Sequence, residues 1–557
     1  MDIDPMAGTS SGSAQPQLIV PRSAPHNCGP LSEDKQKEIL GDSMLASHDI
    51  SASALAGLFS HFTPTAAAAN RLIDLEKIVG VLADTETFFP KRIFVRDCMM
   101  KVFKLIANDK LTINGNRVLL GSPGVGKSVL FFICALCKAE IGDKPVVYFR
   151  KTREEKRISV FVLLRTQSGV RFFSCRRLKK DKFDRISHYI DAVAACFGLD
   201  PDDECVVFLD GPKHDEEKDL NATYHYLCTS GGHPLPKNAQ KELYLWILDA
   251  WSEQEAISGL TALSFPPEDV RTAYMICGGC VRDMYGYLSG DDPNRALMVS
   301  TLDALSERVG HKEVDVVLTT TTRNNDDDSG NPDRLRAMFN GESTSEHMPK
   351  SIQIVDSKYV MRILRGRIGL GKLLEAMKLG ETIKSGTLVG VYFEEILHRW
   401  FLEHTPEGIE GVLASTGNTA QGVTQLIQTG IYWMPSVPNF PNIDAAVILG
   451  RVLFAFQYTK RSGHDFVWDV FWQDFVEKVR EWVEFDAVHV FIVLKDKVTS
   501  TLQVNNRGVW TQSSGTRASA VSHTITCTSS HVNIDTTSID SICKSAAAGF
   551  TFEQAAS

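Results

Sequence analysis

RVLLGSPGVGKSVLFFICALCKAE, residues 117–140, is the stretch from which the rest of the chain is read. A short apolar run, residues 118–120, enters the glycine-rich turn GSPGVGKS, residues 121–128, and a long apolar segment begins at Val129. This is the G-x-x-x-x-G-K-[ST] pattern, set in the strand–turn–helix order that the pattern requires. Gly121, Gly124 and Gly126 permit positive φ, so that successive N–H groups around Val125 can turn inward at phosphate oxygens. Lys127 offers its charge to β- and γ-phosphates, and the Ser128 hydroxyl offers a ligand to Mg²⁺. The stretch therefore predicts a site for ATP or GTP, with the base left open.

Downstream, ECVVFLDGP carries an apolar run ending in Asp210. A buried strand that ends in a carboxylate is the form in which such a protein holds Mg²⁺ through water. No glutamate follows Asp210, only Gly211 and Pro212, and the nearest carboxylates, Asp215, Glu216 and Glu217, lie in a charged loop. Slow hydrolysis, or binding without turnover, is left open. YHYLCTSGG predicts another strand, with Thr229 and Ser230 at the end where a polar group can sense a γ-phosphate. Three further strands are expected over residues 145–150, 158–165 and 170–175. Their connections are dense in Lys and Arg, which reads as a solvated basic face or as a phosphate-contacting one. Helical spacing in YLWILDAW and AYMICGGCVRDMYGYL suggests a small helical lid. Arg282, after Gly278 and Gly279, is either a reach toward the phosphates or a surface arginine.

The chain of 557 residues is too long for one core, so two or three domains are expected. With 43% apolar and 23% charged residues its composition is that of an ordinary globular protein. The formal charge of −9 gives no whole-chain electrostatic case for nucleic acid. The twelve cysteines are scattered, several of them (Cys134, Cys137, Cys196, Cys205, Cys228) through apolar segments, as buried thiols in a reducing compartment would be. No run approaches the roughly 18–20 apolar residues of a membrane span, and no basic segment leads into an apolar one as a secretory signal would.

The expected order is a disordered segment over 1–50, a helical lead-in over 51–84, the loop-bearing α/β domain over 85–304, and a linker or inserted loop over 305–350. A second, α/β/α domain follows over 351–499, then a disordered Ser/Thr-rich tail over 500–557. In the lead-in, Leu55, Leu58, Leu72 and Leu75 fall at helical spacing. Next, Met99, Val102, Phe103 and Ile106 mark one helix face, with Arg92 and Arg96 either packing or facing the nucleotide.

The second domain has its own constellation. Glu394 and His398 lie four apart on the amphipathic stretch GVYFEEILHRWFLEH, hence on one face. NFPNIDAAVILGRVLFAFQYTK reads as a hairpin turning at Gly450, with Asp444 on its first arm. A period of two places Gln457 and Thr459 on one side of the second arm, with Lys460 facing away. The layout resembles the Asp…(Glu/Gln)-x-(Lys/Thr) arrangement of restriction-endonuclease-like nucleases, in which Glu394 would join Asp444 as a Mg²⁺ ligand and the metal would activate water. The other reading is of ordinary polar residues at strand ends.

FFPKRIFVRDC, LLGSPGVGKSVLFF, PVVYFRKT, the strand ending in LDG, GG-x-x-R, IVDSKYVM, FEEILH and NIDAAVI…FAFQYT together resemble the Crinkler family of effector-like proteins, relatives of the retrotransposon hot spot proteins. The resemblance covers roughly residues 85–495. It implies a P-loop NTPase module followed by a restriction-endonuclease-like nuclease module acting on DNA, with action in a nucleus, often that of a host cell into which the protein is secreted, and a host nuclear protein as a further partner. It assigns Gly121–Ser128 and Asp210 to the nucleotide, and Glu394, Asp444, Gln457 and Thr459 to the nuclease. Gln is a weaker Mg²⁺ ligand than Glu, and Thr lacks the charge of the Lys that many nucleases place there. Two readings follow: a nucleotide-gated nuclease, and a switch whose second domain binds nucleic acid or a host protein without cutting.

Overall fold

The computed structural model describes residues 25–40, 45–62, 71–76, 90–109, 116–151, 158–176, 185–201, 203–212, 225–229, 243–309, 319–320, 335–341, 350–404, 411–414, 430–435, 443–459, 468–481, 483–495, 508–514, 521–550 and 552. It is a mixed α/β structure. Among the described residues no helix is long and apolar enough to cross a membrane.

The first half contains β1 (Leu45–Ser51), β2 (Leu72–Asp74), β3 (Arg92–Phe94), β4 (Asn116–Leu120), β5 (Val146–Lys151), β6 (Ile158–Arg165), β7 (Gly169–Arg176), β8 (Val206–Asp210), β9 (Tyr226–Cys228) and β10 (Leu243–Ile247). All but β2 and β3 form one sheet in the order β1-β7-β6-β5-β8-β9-β4-β10. The five strands from β5 to β10 run parallel, and β6, β7 and β1 extend them antiparallel. The parallel strands are covered on both faces, which is why they read as unbroken apolar runs rather than alternations. The helix Lys127–Ile141 lies under one face, packing Phe131 and Phe132 on Tyr148, Phe161 and Phe208. It is apolar nearly all round because it is buried nearly all round. The helix Ile186–Ala195 joins Val147, Phe149, Val207 and Leu209 in the core of the opposite face.

Several expectations are corrected. YLWILDAW is not helical: its first part is β10, parallel to β4. A short apolar run does not by itself separate strand from buried helix. Leu72 likewise lies in a strand, paired with Phe94. The segment 1–50 is not structureless throughout, since it holds the helix Glu33–Leu40 and β1, which pairs along its whole length with β7. The four helices Glu253–Thr261, Pro267–Cys277, Val281–Ser289 and Asp292–Arg308 follow β10. The interval 305–350 is more than a linker. β11 (Thr319–Thr320), β12 (Ala337–Gly341) and β13 (Lys350–Ile354) form a sheet in the order β11-β13-β12, and Met338 N donates to Ser122 Oγ at 2.6 Å.

In the second half β14 (Gly411–Ala414), β15 (Ile431–Met434), β16 (Ala445–Leu449), β17 (Val452–Thr459), β18 (Ala487–Lys495), β19 (Gly508–Ser514) and β20 (Val521–Ile534) form a sheet in the order β14-β15-β16-β17-β18-β20-β19. The hairpin turn falls at Gly450, with φ +59°, a conformation that favours glycine. Phe454, Phe456 and Phe491 face the helices Gly386–His404 and Ile539–Gly549, whereas Leu453, Ala455 and Val490 face Trp472 and Phe475. The result is a three-layer α/β/α arrangement. The Ser/Thr-rich tail is corrected too: β20 runs parallel to β18 through nine pairs, and Val532, Ile534, Ile542 and Phe550 enter the core. Threonine is a good strand residue, which a reading by polarity misses.

Candidate functional sites

The glycine-rich turn joins β4 to the N-terminus of the helix Lys127–Ile141. Gly124 and Gly126 take φ of +74° and +100° as the pattern requires, but Gly121 does not adopt positive φ. Its glycine is needed for close approach instead: a Cβ there would lie 2.6 Å from Leu248 O and 3.1 Å from Lys127 Cδ. Val125 is buried, and its carbonyl accepts from Trp251 Nε1 at 3.3 Å. Lys127 Nζ folds back on the loop, donating to Gly121 O at 2.8 Å and Ser122 O at 2.6 Å.

Parallel pairing of β4, β9 and β8 brings the ends of these strands side by side. Ser128 Oγ consequently donates to Asp210 Oδ1 at 3.0 Å, although 82 residues separate them. The other oxygen of Asp210 accepts from Tyr148 OH at 2.9 Å, and Arg150 Nε lies 3.9 Å away. Thr229 sits at the end of the intervening strand, buried, with its N–H on Leu119 O. Arg282 N donates to Gly124 O at 3.3 Å, and its side chain is more than half exposed beside the turn. Thus Gly121, Gly124, Val125, Gly126, Lys127, Ser128, Asp210, Thr229 and Arg282 come together around one turn. Arg96 belongs to the scaffold: it is fully buried, donates to Asp249 O at 2.6 Å and lies over the Trp251 ring. Asp215, Glu216 and Glu217 lie outside the described residues.

These features fit a Mg²⁺–triphosphate. The helix N-terminus and the positive-φ glycines aim donors and partial positive charge at one point. Ser128 Oγ and Asp210 Oδ1 form a pair of hard oxygens beside it.

The second site has a composition that the sequence reading did not anticipate. Glu394 is buried on the helix Gly386–His404. The helix Lys358–Leu364 places Lys358 Nζ 2.6 Å from Glu394 Oε2 and 3.8 Å from Asp444 Oδ1. Arg362 Nη2 lies 3.5 Å and His398 Nε2 3.4 Å from the other oxygen of Glu394. Asp444 Oδ2 accepts from Tyr458 N at 2.8 Å. Gln457 stands one step beyond the Ala445–Phe456 pair, opposite Asp444, and is buried with its Oε1 unpartnered. Thr459 ends β17 in register with Leu494, while Lys460 lies outside the described residues. Among the described residues, positive charge reaches this site from Lys358 and Arg362, on another element.

Lys358 and Arg362 are four apart on a helix that also buries Val360, Met361 and Leu364, matching Glu394 and His398, four apart on the facing helix. Two cations at helical spacing inside an apolar run were the signal available in IVDSKYVMRIL. Burial works to raise the Glu394 carboxyl, but Lys358, the His398 hydrogen bond and Arg362 outweigh it and hold it well below the usual range. Burial and then the charge of Glu394 push Asp444 up to about 7. His398 is lowered to about 4, first by burial and then by Arg365. Arg365 itself is engaged by Glu395 through two hydrogen bonds, at 2.5 and 2.6 Å.

Two carboxylates and an orphaned amide oxygen are donors that a hard divalent cation accepts. Here the cation between the carboxylates is the lysine ammonium. Among the described residues no group of three His, Cys, Asp or Glu side chains could hold a metal ion. Set against known protein families and curated proteins, the chain matches none.

Proposed function

We propose that the chain is a Crinkler-like protein that binds a nucleoside triphosphate with Mg²⁺ at its glycine-rich loop and acts on DNA phosphodiesters through its second half. The observation that carries the reading is the Ser128–Asp210 hydrogen bond, 3.0 Å between the first turn of a helix and the end of β8, beside two positive-φ glycines. Each feature alone is common; their convergence on one turn is what phosphate chemistry demands. Loop amides and Lys127 would bind the phosphates, Ser128 and Asp210 would hold the metal, and Thr229 and Arg282 would read the terminal phosphate. When bound, Mg²⁺ would supply neutralisation of the phosphate charge.

In the second half Glu394 and Asp444 would hold a metal, with Gln457 as a neutral third donor. Lys358 supplies the positive charge that stabilises a crowded phosphate. A second reading, binding without cleavage, is favoured by the seating of Lys358 2.6 Å from Glu394, which a metal would have to displace. A nuclear site of action, in a host cell or its own, belongs to the same proposal.

The test pairs two assays on the full chain. Fluorescent ATP and GTP analogues are titrated in magnesium buffer, where Lys127→Ala is expected to weaken binding by about 10- to 100-fold. Plasmid DNA is incubated with Mg²⁺ and ATP. Nicking by wild type that Asp444→Ala abolishes supports cleavage, whereas metal-independent retention of intact DNA selects the second reading. Well-folded wild type that binds neither triphosphate overturns the first half of the proposal.

A further inference from the structure

The turn Gly278–Gly279 is linked to the glycine-rich loop through Trp251 and to the segment before Lys358 through Asp356. On one side, Arg282 N donates to Gly124 O at 3.3 Å, and a Cβ on Gly124 would collide with Cys280 Sγ. Trp251 makes a second connection: its N–H donates to Gly279 O at 3.1 Å and its Nε1 to Val125 O at 3.3 Å. On the other side, Gly279 N donates to Asp356 Oδ2 at 2.6 Å. Gly278 has φ +62° and ψ −156°, a region open in practice to glycine alone, and a Cβ there would occupy the place of Asp356 Oδ1. Ser357 Oγ donates to Ile276 O at 2.6 Å. The next residue is Lys358, seated between Glu394 and Asp444. Asp356 and Ser357 are 5% and 3% exposed, so the links they make are buried.

We propose that Asp356 is a positioning residue, through which the backbone of the glycine-rich loop sets the placement of Lys358 between Glu394 and Asp444. The proposal rests on the phosphate-binding reading of the loop. Backbone movement at Gly124 and Val125 carries the Arg282 and Trp251 contacts with it, and these carry Gly279. A buried carboxylate that parts from its amide donor leaves both groups unsatisfied, so Asp356 follows Gly279 rather than releasing it. Two residues further on, the Lys358 ammonium moves relative to its two carboxylates. Close packing leaves little slack to absorb the displacement. Linkage requires the effect to run both ways, so the state of Lys358 is felt at residues 276–283.

Hydrogen exchange of the full chain, read by mass spectrometry, tests this in two arms. In the first, a saturating non-hydrolysable ATP analogue with Mg²⁺ is expected to change exchange over residues 356–364 in wild type by about fivefold or more. Asp356→Ala should keep triphosphate binding and lose that distant response, and Asp356→Asn, whose amide oxygen can still accept from Gly279, should restore part of it. Binding by wild type with no change over 356–364, or a full response in Asp356→Ala, overturns the proposal. The second arm uses no ligand, and so separates this proposal from the reading of the loop. Lys358→Met is expected to speed exchange over 276–283 beyond its effect on the rest of the chain when Asp356 is present, and to show no such local excess in the Asp356→Ala background. Equal effects in both backgrounds overturn the proposal whether or not a triphosphate binds.

Discussion

Lys358 is the residue whose role is set most completely by its surroundings. Its ammonium is about as buried as the carboxylate it meets, so removing it leaves Glu394 in the interior with Arg362 at 3.5 Å as the nearest remaining charge. Lys358→Met is expected to destabilise the chain by about 3 kcal/mol, the cost of breaking a buried pair from one side. Lys358→Met combined with Glu394→Leu should cost less than the sum, which urea unfolding can measure; strict additivity would refute a direct pair. Asp356 gives a prediction in pH. Burial, opposed by the Gly279 and Asp356 backbone amides, pushes its carboxyl up to about 7. An unfolded aspartate ionises near 4, so across about pH 4 to 7 the folded chain holds the extra proton and stability falls as pH rises. Asp356→Asn removes that slope and should gain on wild type by about 3 kcal/mol between pH 4 and 7. A parallel pair of stability–pH curves would show that Asp356 does not titrate in this way.

Among the elements, β20 and the helix Ile539–Gly549 complete the second half. β20 hydrogen-bonds along β18, and Val532, Ile542 and Phe550 lie against the face that holds Phe454 and Phe491. Deleting residues 521–557 is expected to bare the β18 edge and this aromatic surface, giving aggregation or dye binding typical of exposed apolar area. A monomeric, cooperatively folding truncation would refute the role assigned to them. These same elements show where the sequence was legible. β4, the glycine turn and the helix behind it could be read because strand, turn and helix are determined locally and sit consecutively. Gly450 and the β16–β17 hairpin were readable for the same reason. β20 was missed because its threonines count as polar in a composition but as strand formers on a pleated surface. β10 was missed because five apolar residues fit a buried strand as well as a helix turn. Lys358 was missed because its partners come from two other elements, and no periodicity within its own segment names them.

At the scale of the molecule, the two halves share one continuous core, with Leu130 and Phe131 in the same buried cluster as Phe393 and Phe454. Polar ties cross between them as well: Thr387 Oγ1 donates to Glu253 Oε2 at 2.7 Å, and Arg367 Nη1 to Val309 O at 2.9 Å. Unfolding of either half therefore strips surface from the other. A triphosphate at 100 times its dissociation constant contributes about 2.7 kcal/mol to the folded state. That stabilisation should appear in the fluorescence of Trp433 and Trp472, which lie in the second half, as well as in probes near the loop. A thermal shift confined to the first half would mean that the halves unfold independently.

The parallel pairing of β18 with β20 also bears on how the chain is made. A ribosome delivers residues in order, and domains tend to fold as they emerge. The sheet of the first half has all its strands once residue 247 is out. The partner that covers β18 does not exist until residue 534 has been translated. Between translation of β18 and of that partner, the aromatic face around Phe454 has the helix Gly386–His404 for cover but still lacks Phe550 and Phe552, which pack on Phe491 and Phe454. The dependence on chaperones should therefore fall on the later half of translation.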